Sequence, residues 1–373
     1  MKSVHLVTGA TGFVGAALIL ELLEQTRDNV IALVRPRGGT AEARFQDEFL
    51  RAATIYESPL EPAAVLSRCR VVAGDVALEG CGIADTSLGN VTHVWHCAAS
   101  LCYEDRYARE IRAVNVDGTR HVLRLAETMG AETFNHISTA YVAGRSTGII
   151  HEREIVDVQV NNGYERSKLD GEAVVQTAAG PRVRIFRPSI IVGHSRTLQA
   201  TNFSGFYGFV RQLVQFRGMV RRLQAGLLEH RPLRLRIDPE APINLVPIDA
   251  VVHQAVRIGL RAASEGIFHL TNGAPPKIGA AANTVFDELE LRRPRFVSDE
   301  SELDLLDSRL DARLGFYRSY ITADRRFDRS RSDAALGADR SQDVVYDAPL
   351  IGALTRWYLA RLERERAAIP VGR

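Results

Sequence analysis

Between residues 1 and 195, short and wholly apolar runs alternate with longer stretches whose apolar positions recur every three or four residues. Val4, Leu6 and Val7 form the first run; Val30, Ile31, Ala32, Leu33 and Val34 form the second. Others follow at Val71, Val72 and Ala73, at Val91, Val94 and Trp95, at Phe134 and Ile137, and at Val183, Ile185 and Phe186. Runs this short with little polar alternation predict strands covered on both faces, as in a parallel sheet. The intervening segments, such as Ala16, Ala17, Leu18, Ile19 and Leu20, favour helix. Strand and helix taking turns predict an α/β fold built on a doubly wound parallel sheet, the Rossmann arrangement.

The pattern changes after about residue 195. Residues 197–228 contain no acid but carry Arg211, Arg217, Arg221 and Arg222, with Phe206, Phe209, Val210, Leu213, Val220 and Leu223 near helical spacing. We therefore expect a nucleotide-binding domain over residues 1–195 plus about 244–263. A smaller C-terminal α/β substrate-binding subdomain would take residues 196–243 and 264–373.

Composition narrows this picture mainly by exclusion. A chain of 373 residues can bury a large core as one domain or two, and 46% hydrophobic with 25% charged residues fits a globular protein. A net charge of +2 makes no case for nucleic acid as a partner. No apolar run reaches the roughly 18 residues of a membrane span, and the immediate entry into a strand leaves no room for a signal peptide. Cys69, Cys81, Cys97 and Cys102 lack C-x-x-C or metal-ligand spacing, so we expect reduced thiols in a cytoplasmic protein and no metal site.

Candidate chemistry starts at VHLVTGATGFVGAALILELL. A strand ends at Thr8, glycines stand at Gly9, Gly12 and Gly15, and a helix follows. Glycine tolerates positive φ and lets a ligand approach the backbone, while the free N–H groups of a helix start favour a pyrophosphate. The second run ends at Arg35-Pro36-Arg37, where such folds meet the adenosine ribose; an arginine there suits a 2′-phosphate and points to NADP(H). Asp75, after the third run, either reaches the adenine side or caps a helix. Small residues Cys97, Ala98, Ala99 and Ser100 follow the fourth run, leaving space for a dinucleotide at the sheet edge.

Tyr164 and Lys168 stand four apart and share a helix face. A free tyrosine titrates near about 10, and a neighbouring ammonium should stabilise its phenolate. Thr139, at the end of the fifth strand, offers a hydroxyl to orient a substrate oxygen.

These segments together resemble the extended short-chain dehydrogenase/reductase family over at least residues 4–275. The resemblance rests on TGATGFVG, Gly74-Asp75, HCAAS, NVDGT, ISTAYVAG, YERSK, RPSIIVG and VPIDAV. It implies Thr139, Tyr164 and Lys168 as catalytic residues; the 25-residue separation of Thr139 from Tyr164 favours Thr139 over Ser138. It also implies a cofactor site made of Gly9, Thr11, Gly12, Phe13, Val14, Gly15, Arg35, Arg37, Asp75, Val76, Ala98, Ala99, Asn115, Tyr164, Lys168, Pro188, Ser189 and Ile190. Within the family the chain looks most like the thioester-reductase branch, which includes fatty acyl-CoA reductases. LVRPRGGTAEARFQDEFL, VVAGDVALEGCGI and YRSYITADRRFDRSRSDAAL, the last containing Phe327-Asp328, carry that narrower resemblance. After Gly193 the chain departs from the branch, which has a glycine near the position of Leu198.

The expected activity is NADPH-dependent reduction of an acyl thioester, as a CoA ester or on an acyl or peptidyl carrier protein, to aldehyde or alcohol. The basic, aromatic stretch 203–236 is equally a receiver for a phosphopantetheine arm and a packed amphipathic helix with a solvated face. The same site residues would serve a dehydrogenase of a steroid-like or other apolar ketone or alcohol, or a nucleotide-sugar epimerase, although Arg35 disfavours tightly held NAD. A homodimer is left open.

Overall fold

The structure, a computed structural model, describes residues 2–83, 88–261, 265–321 and 324–367. Its strands are β1 (Val4–Thr8), β2 (Asn29–Val34), β3 (Cys69–Ala73), β4 (His93–His96), β5 (Thr133–Ile137), β6 (Gly148–Ile150), β7 (Arg182–Pro188), β8 (Ile190–Val192), β9 (Arg234–Arg236), β10 (Leu245–Pro247), β11 (Gly266–Leu270), β12 (Arg295–Val297) and β13 (Arg325–Phe327). Seven of them form one sheet in the order β11-β7-β5-β4-β1-β2-β3, with every pairing parallel. The order reverses between β1 and β4, the crevice where open α/β sheets take their ligands. Helices cover both faces, so β2 and β5 are buried almost along their length; this is why their sequences read as runs.

One face carries the helices Phe13–Gln25 and Ile248–Gly259, whose Leu18, Ile19 and Leu22 share a core with Val251, Ala255 and Ile258. Trp95, fully buried, lies beneath the second of these; a Cβ on Gly259 would come 2.2 Å from its ring, so only glycine lets helix and indole meet. The other face carries the helices Gly118–Thr128 and Gly163–Val175 over Leu6, Val94 and Phe134.

A separate core gathers Phe206, Tyr207, Val210 and Leu213 from the helix Gly205–Leu223 with Ile278, Ala282 and Val285 from the helix Ile278–Glu288, and Leu354 and Tyr358 from the last helix, Ala348–Ala367. The Tyr207 hydroxyl, accepting from Gly193 N–H at 2.9 Å, ties this unit to the sheet side.

The expected domain edge needs adjustment. Residues 262–264, at that edge, lie outside the described residues, but β11 follows at once as the outermost strand of the nucleotide-binding sheet. That segment completes the sheet beside β7 and does not join the second core. The late chain also returns. β13 pairs with β6, and the buried Glu152 carboxylate accepts from the backbone N–H groups of His269 (2.7 Å), Arg331 (2.6 Å) and Ser332 (3.2 Å). Asp328 bonds His151 at 2.8 Å, and that bond holds its carboxyl down to about 2. The segment carrying Phe327 and Asp328 thus clamps the loop that follows β5.

Candidate active site

The glycine turn and the end of β4 interlock at the reversal of strand order. Gly9 has φ +66°, and a Cβ there would lie 2.7 Å from Ala98 N; a Cβ on Gly15 would lie 2.2 Å from Gly9 O. Both positions must stay bare for the turn to close. Thr8 Oγ1 accepts from Ala98 N–H at 3.2 Å and bonds His96 Nδ1 at 2.8 Å; His96 Nε2 meets Thr119 Oγ1 at 3.0 Å. Because Thr119 gives its own proton to Asn115 O, Nε2 is the protonated nitrogen of His96 and Nδ1 accepts from Thr8. Burial pushes that imidazole down to about 3, so it stays neutral. The helix Phe13–Gln25 begins over this turn with no side-chain cap and no acid in its first turn. Its free N–H groups suit a pyrophosphate, and the residues present fit a bound dinucleotide.

A cavity of about 480 Å³ opens beside the turn. Gly12, Phe13, Val14 and Gly15 line one part, Ala99, Pro188, Ser189 and Ile190 another, and Thr139, Tyr164 and Lys168 line the part between sheet and second core. Of the expected residues these eleven face a common space. Arg35, Arg37 and Asp75 do not line it; Arg35 and Asp75 form a pair 3.7 Å apart at the exposed end of β2. Asp75 also accepts from Ala77 N–H at 3.0 Å, closing a turn, whereas the expected helix cap is not formed: the short helix Glu79–Gly82 starts at Leu78 with no side-chain cap.

Gly9, Thr11, Val76, Ala98 and Asn115 are likewise absent from the cavity wall, for reasons clearest at two of them. Asn115, in a π-helical turn over Ala113–Asp117, accepts from Ser100 N–H at 2.7 Å and donates to Ser100 O at 3.0 Å and Ser167 Oγ at 2.8 Å. Its amide is spent on bracing the helix of Tyr164. Val76 is 7% exposed and belongs to the core beneath the sheet, against Gly118.

Tyr164 and Lys168 sit in the first turns of the helix Gly163–Val175, started by Asn162, whose side chain accepts from Glu165 N–H at 2.9 Å. Lys168 is 3% exposed and donates to Ile137 O at 2.6 Å. Burial lowers it from 10.5 to about 8 against the opposing pull of Glu172. The Tyr164 phenol is pushed up by burial and then by Glu165. This corrects the expectation that the ammonium lowers the phenol: in this cleft desolvation dominates, and the phenol keeps its proton.

Ser138 and Thr139 are separated by their partners. Ser138 Oγ bonds Glu172 Oε1, within a buried pair in which Arg187 donates to Glu172 through Nε (2.9 Å) and Nη2 (2.6 Å). Thr139 Oγ1 accepts only weakly from Tyr141 N–H, at 3.3 Å, which leaves its proton for an acceptor in the cavity. Sequence reasoning missed this Ser138–Glu172–Arg187 group. It also missed Tyr141 and Tyr320, which line the cavity and pack edge to face with centroids 4.6 Å apart. Tyr320 arrives on the helix Gly315–Ile321, and nothing local to either tyrosine announces the meeting.

Beyond the polar end the cavity runs into the second core, along Phe206, Ile237, Ile278, Ala281, Ala282 and Val285. Among the described residues no group of His, Cys, Asp and Glu is placed to hold a metal ion, and no helix is long and apolar enough to cross a membrane.

A parallel sheet with a glycine turn at its strand-order reversal and a Thr–Tyr–Lys set beside it defines an NAD(P)-dependent oxidoreductase of the extended short-chain dehydrogenase/reductase type. A family model described as Male sterility protein matches residues 7–255, well over half of the chain; the chain belongs to this family, in its thioester-reductase branch. Fatty acyl-CoA reductase 2 of Bos taurus is 28% identical over 310 residues, covering 72% of this chain. The match takes in 57% of that relative, so the chain spans little more than half its length. A component of the linear gramicidin synthase of Brevibacillus parabrevis is 24% identical over 360 residues, 92% of this chain and 6% of that protein. Among solved structures, the terminal R domain from the myxalamid PKS-NRPS biosynthetic pathway aligns with a TM-score of 0.74 at 26% identity, covering 98% of this chain and 91% of that one.

Proposed function

We propose that the chain reduces an acyl thioester with NADPH, releasing a thiol and an aldehyde, which either leaves or is taken in a second round to the alcohol. The observation that carries this reading is the shared cavity: Thr139, Tyr164 and Lys168 lie between the glycine turn and an apolar channel in the second core. A reduced nicotinamide, when bound, supplies hydride. The protein's own part is to hold the thioester carbonyl with its oxygen toward the Thr139 hydroxyl and the Tyr164 phenol. Thr139 donates a hydrogen bond to the developing oxyanion, and Tyr164 gives it a proton. A phenol raised by burial suits a donor, because it is fully protonated at neutral pH. The resulting hemithioacetal collapses when its hydroxyl proton returns to the Tyr164 phenolate and the C–S bond breaks; the thiolate leaves and takes its proton from solvent. Lys168 holds positive charge beside the phenol and offers donors to a cofactor ribose.

Preference for NADPH is supported by Arg35 at the end of β2, with Arg37 beyond it and Arg44 anchored to Arg35 O at 2.6 Å, three cations around the place of a 2′-phosphate. The chain would take its substrate from CoA or from a carrier protein, and the relatives' names support both sources. The test is NADPH oxidation by the purified protein against a panel of acyl-CoA thioesters, with Tyr164→Phe alongside. We expect turnover by the native protein and a loss of about 10²–10⁴-fold in the variant. Turnover of a ketone or a nucleotide sugar with no thioester consumed would reject the reading, and thiol released per NADPH oxidised separates aldehyde from alcohol.

A further inference from the structure

The substrate side of the cavity has an entrance of its own character. Most lining residues there are buried or half-buried, but Leu101, Ser204 and Arg211 line the cavity and are also exposed, so they mark where it meets solvent. Among the described residues Arg211 is the one arginine lining the cavity. It lies in the helix Gly205–Leu223, and its guanidinium reaches only the Phe203 carbonyl, at 3.3 Å. No carboxylate pairs with it among the described residues, whereas Arg231, Arg236, Arg318 and Arg356 of the same subdomain each sit on one. The segment around it, residues 197–228, has no acid at all. Polar residues Asn202, Ser204 and Gln212 line the same stretch of wall, against an otherwise apolar channel; Ser204 gives its hydroxyl proton to Asn202 Oδ1 at 2.7 Å, which fixes the Asn202 amide.

An unpaired, fork-shaped cation among neutral donors at the rim of an apolar cavity suits a ligand with an anionic head and a long neutral tail. Building on the thioester reading, we infer that Arg211, with the amide of Asn202 that Ser204 positions, receives the phosphate of a 4′-phosphopantetheine arm, the group shared by CoA thioesters and carrier-bound thioesters. The arm then threads inward and brings its sulfur to Thr139 and Tyr164, while the rim arginine selects for the phosphorylated arm.

The experiment compares one acyl group on four thiols: pantetheine, 4′-phosphopantetheine, CoA and a holo-carrier protein. In Arg211→Ala we expect KM for the 4′-phosphopantetheine and CoA thioesters to rise at least about tenfold, with kcat within twofold. The pantetheine thioester, which lacks the phosphate, should keep its KM within twofold, and Arg211→Lys should recover part of the loss. A rise for the carrier thioester as well would show the carrier's arm entering by the same rim, and a rise for the 4′-phosphopantetheine and CoA thioesters without one for the carrier would make CoA the source of the phosphate; a rise with CoA alone would put Arg211 on the nucleotide end of CoA and overturn the inference. An equal change with and without the phosphate, or no change in any arm, overturns the inference. Native protein that reduces none of the four thioesters would instead overturn the thioester reading itself.

Discussion

Replacing Glu172 by glutamine removes a single charge from the most deeply buried ion pair near the site. Arg187 is fully buried and Glu172 is 2% exposed; the carboxylate takes both Arg187 donors and the Ser138 hydroxyl. In Glu172→Gln the amide keeps one acceptor but turns N–H groups toward a guanidinium that retains its charge and has no water. Breaking a buried pair from one side costs about 3–5 kcal/mol. With roughly 2.1 cal/mol/K of unfolding entropy per residue, a loss of about 4 kcal/mol lowers Tm by about 5 °C in a chain of 373 residues. Calorimetry reads this directly. A second readout separates charge from packing: Glu172 is the main group holding the Lys168 ammonium up against burial, so its loss should move the alkaline limb of the activity profile to lower pH. The double variant Glu172→Leu/Arg187→Leu removes both charges and should recover much of the Tm. An unchanged Tm and an unchanged pH profile in the single variant would refute the account.

Three further outcomes follow from the geometry. Lys168 titrates near 8 when folded and near 10.5 when free, so the unfolded chain binds more protons between those values; stability from this residue rises with pH across the window while the ammonium needed for turnover is lost. kcat/KM should therefore fall above about pH 8 as unfolding becomes harder, and activity flat to pH 10 would contradict this. Arg35→Ala should raise KM for NADPH about tenfold and leave that for NADH unchanged; an equal change for both cofactors would remove Arg35 from the 2′-phosphate. Ala282→Phe fills the apolar end of the cavity, so kcat/KM for a dodecanoyl thioester should drop at least about tenfold while a butyryl thioester stays within twofold. Equal loss for both would mean that the acyl chain does not lie there.

What the residue pattern conveyed was whatever depends on near neighbours. The buried strands announce themselves as apolar runs because helices cover both faces, and the Thr–Tyr–Lys set is readable because two of its members are one helical turn apart. Motif membership said less about direction. Asn115 and Val76 lie inside recognisable segments, yet one braces Ser100 and Ser167 and the other packs beneath the sheet. Leu198 shows the opposite case: near the position where the resemblance leads us to expect glycine, this chain holds leucine at φ +61°, with Leu198 O lying 2.1 Å from where a Cβ on Gly193 would stand. The tight turn closes here at the cost of a left-handed leucine.

The residues that shape the cavity's far side were illegible for a single reason. Tyr320, Ala282 and Arg211 share a cavity with Thr139, Tyr164 and Lys168 only because the chain after residue 195 leaves the sheet, builds its own core, and comes back at β13 to be pinned by Glu152 and His151. Placement of those side chains depends on contacts across more than a hundred positions of sequence, and no local period encodes them. On the proposed function, chemistry would be set by the first half of the chain and substrate choice by the second. Substitutions at Glu152 should accordingly disturb acyl selection and thermal stability before they disturb cofactor binding, since the pin holds the late chain against the catalytic loop and touches no residue of the glycine turn.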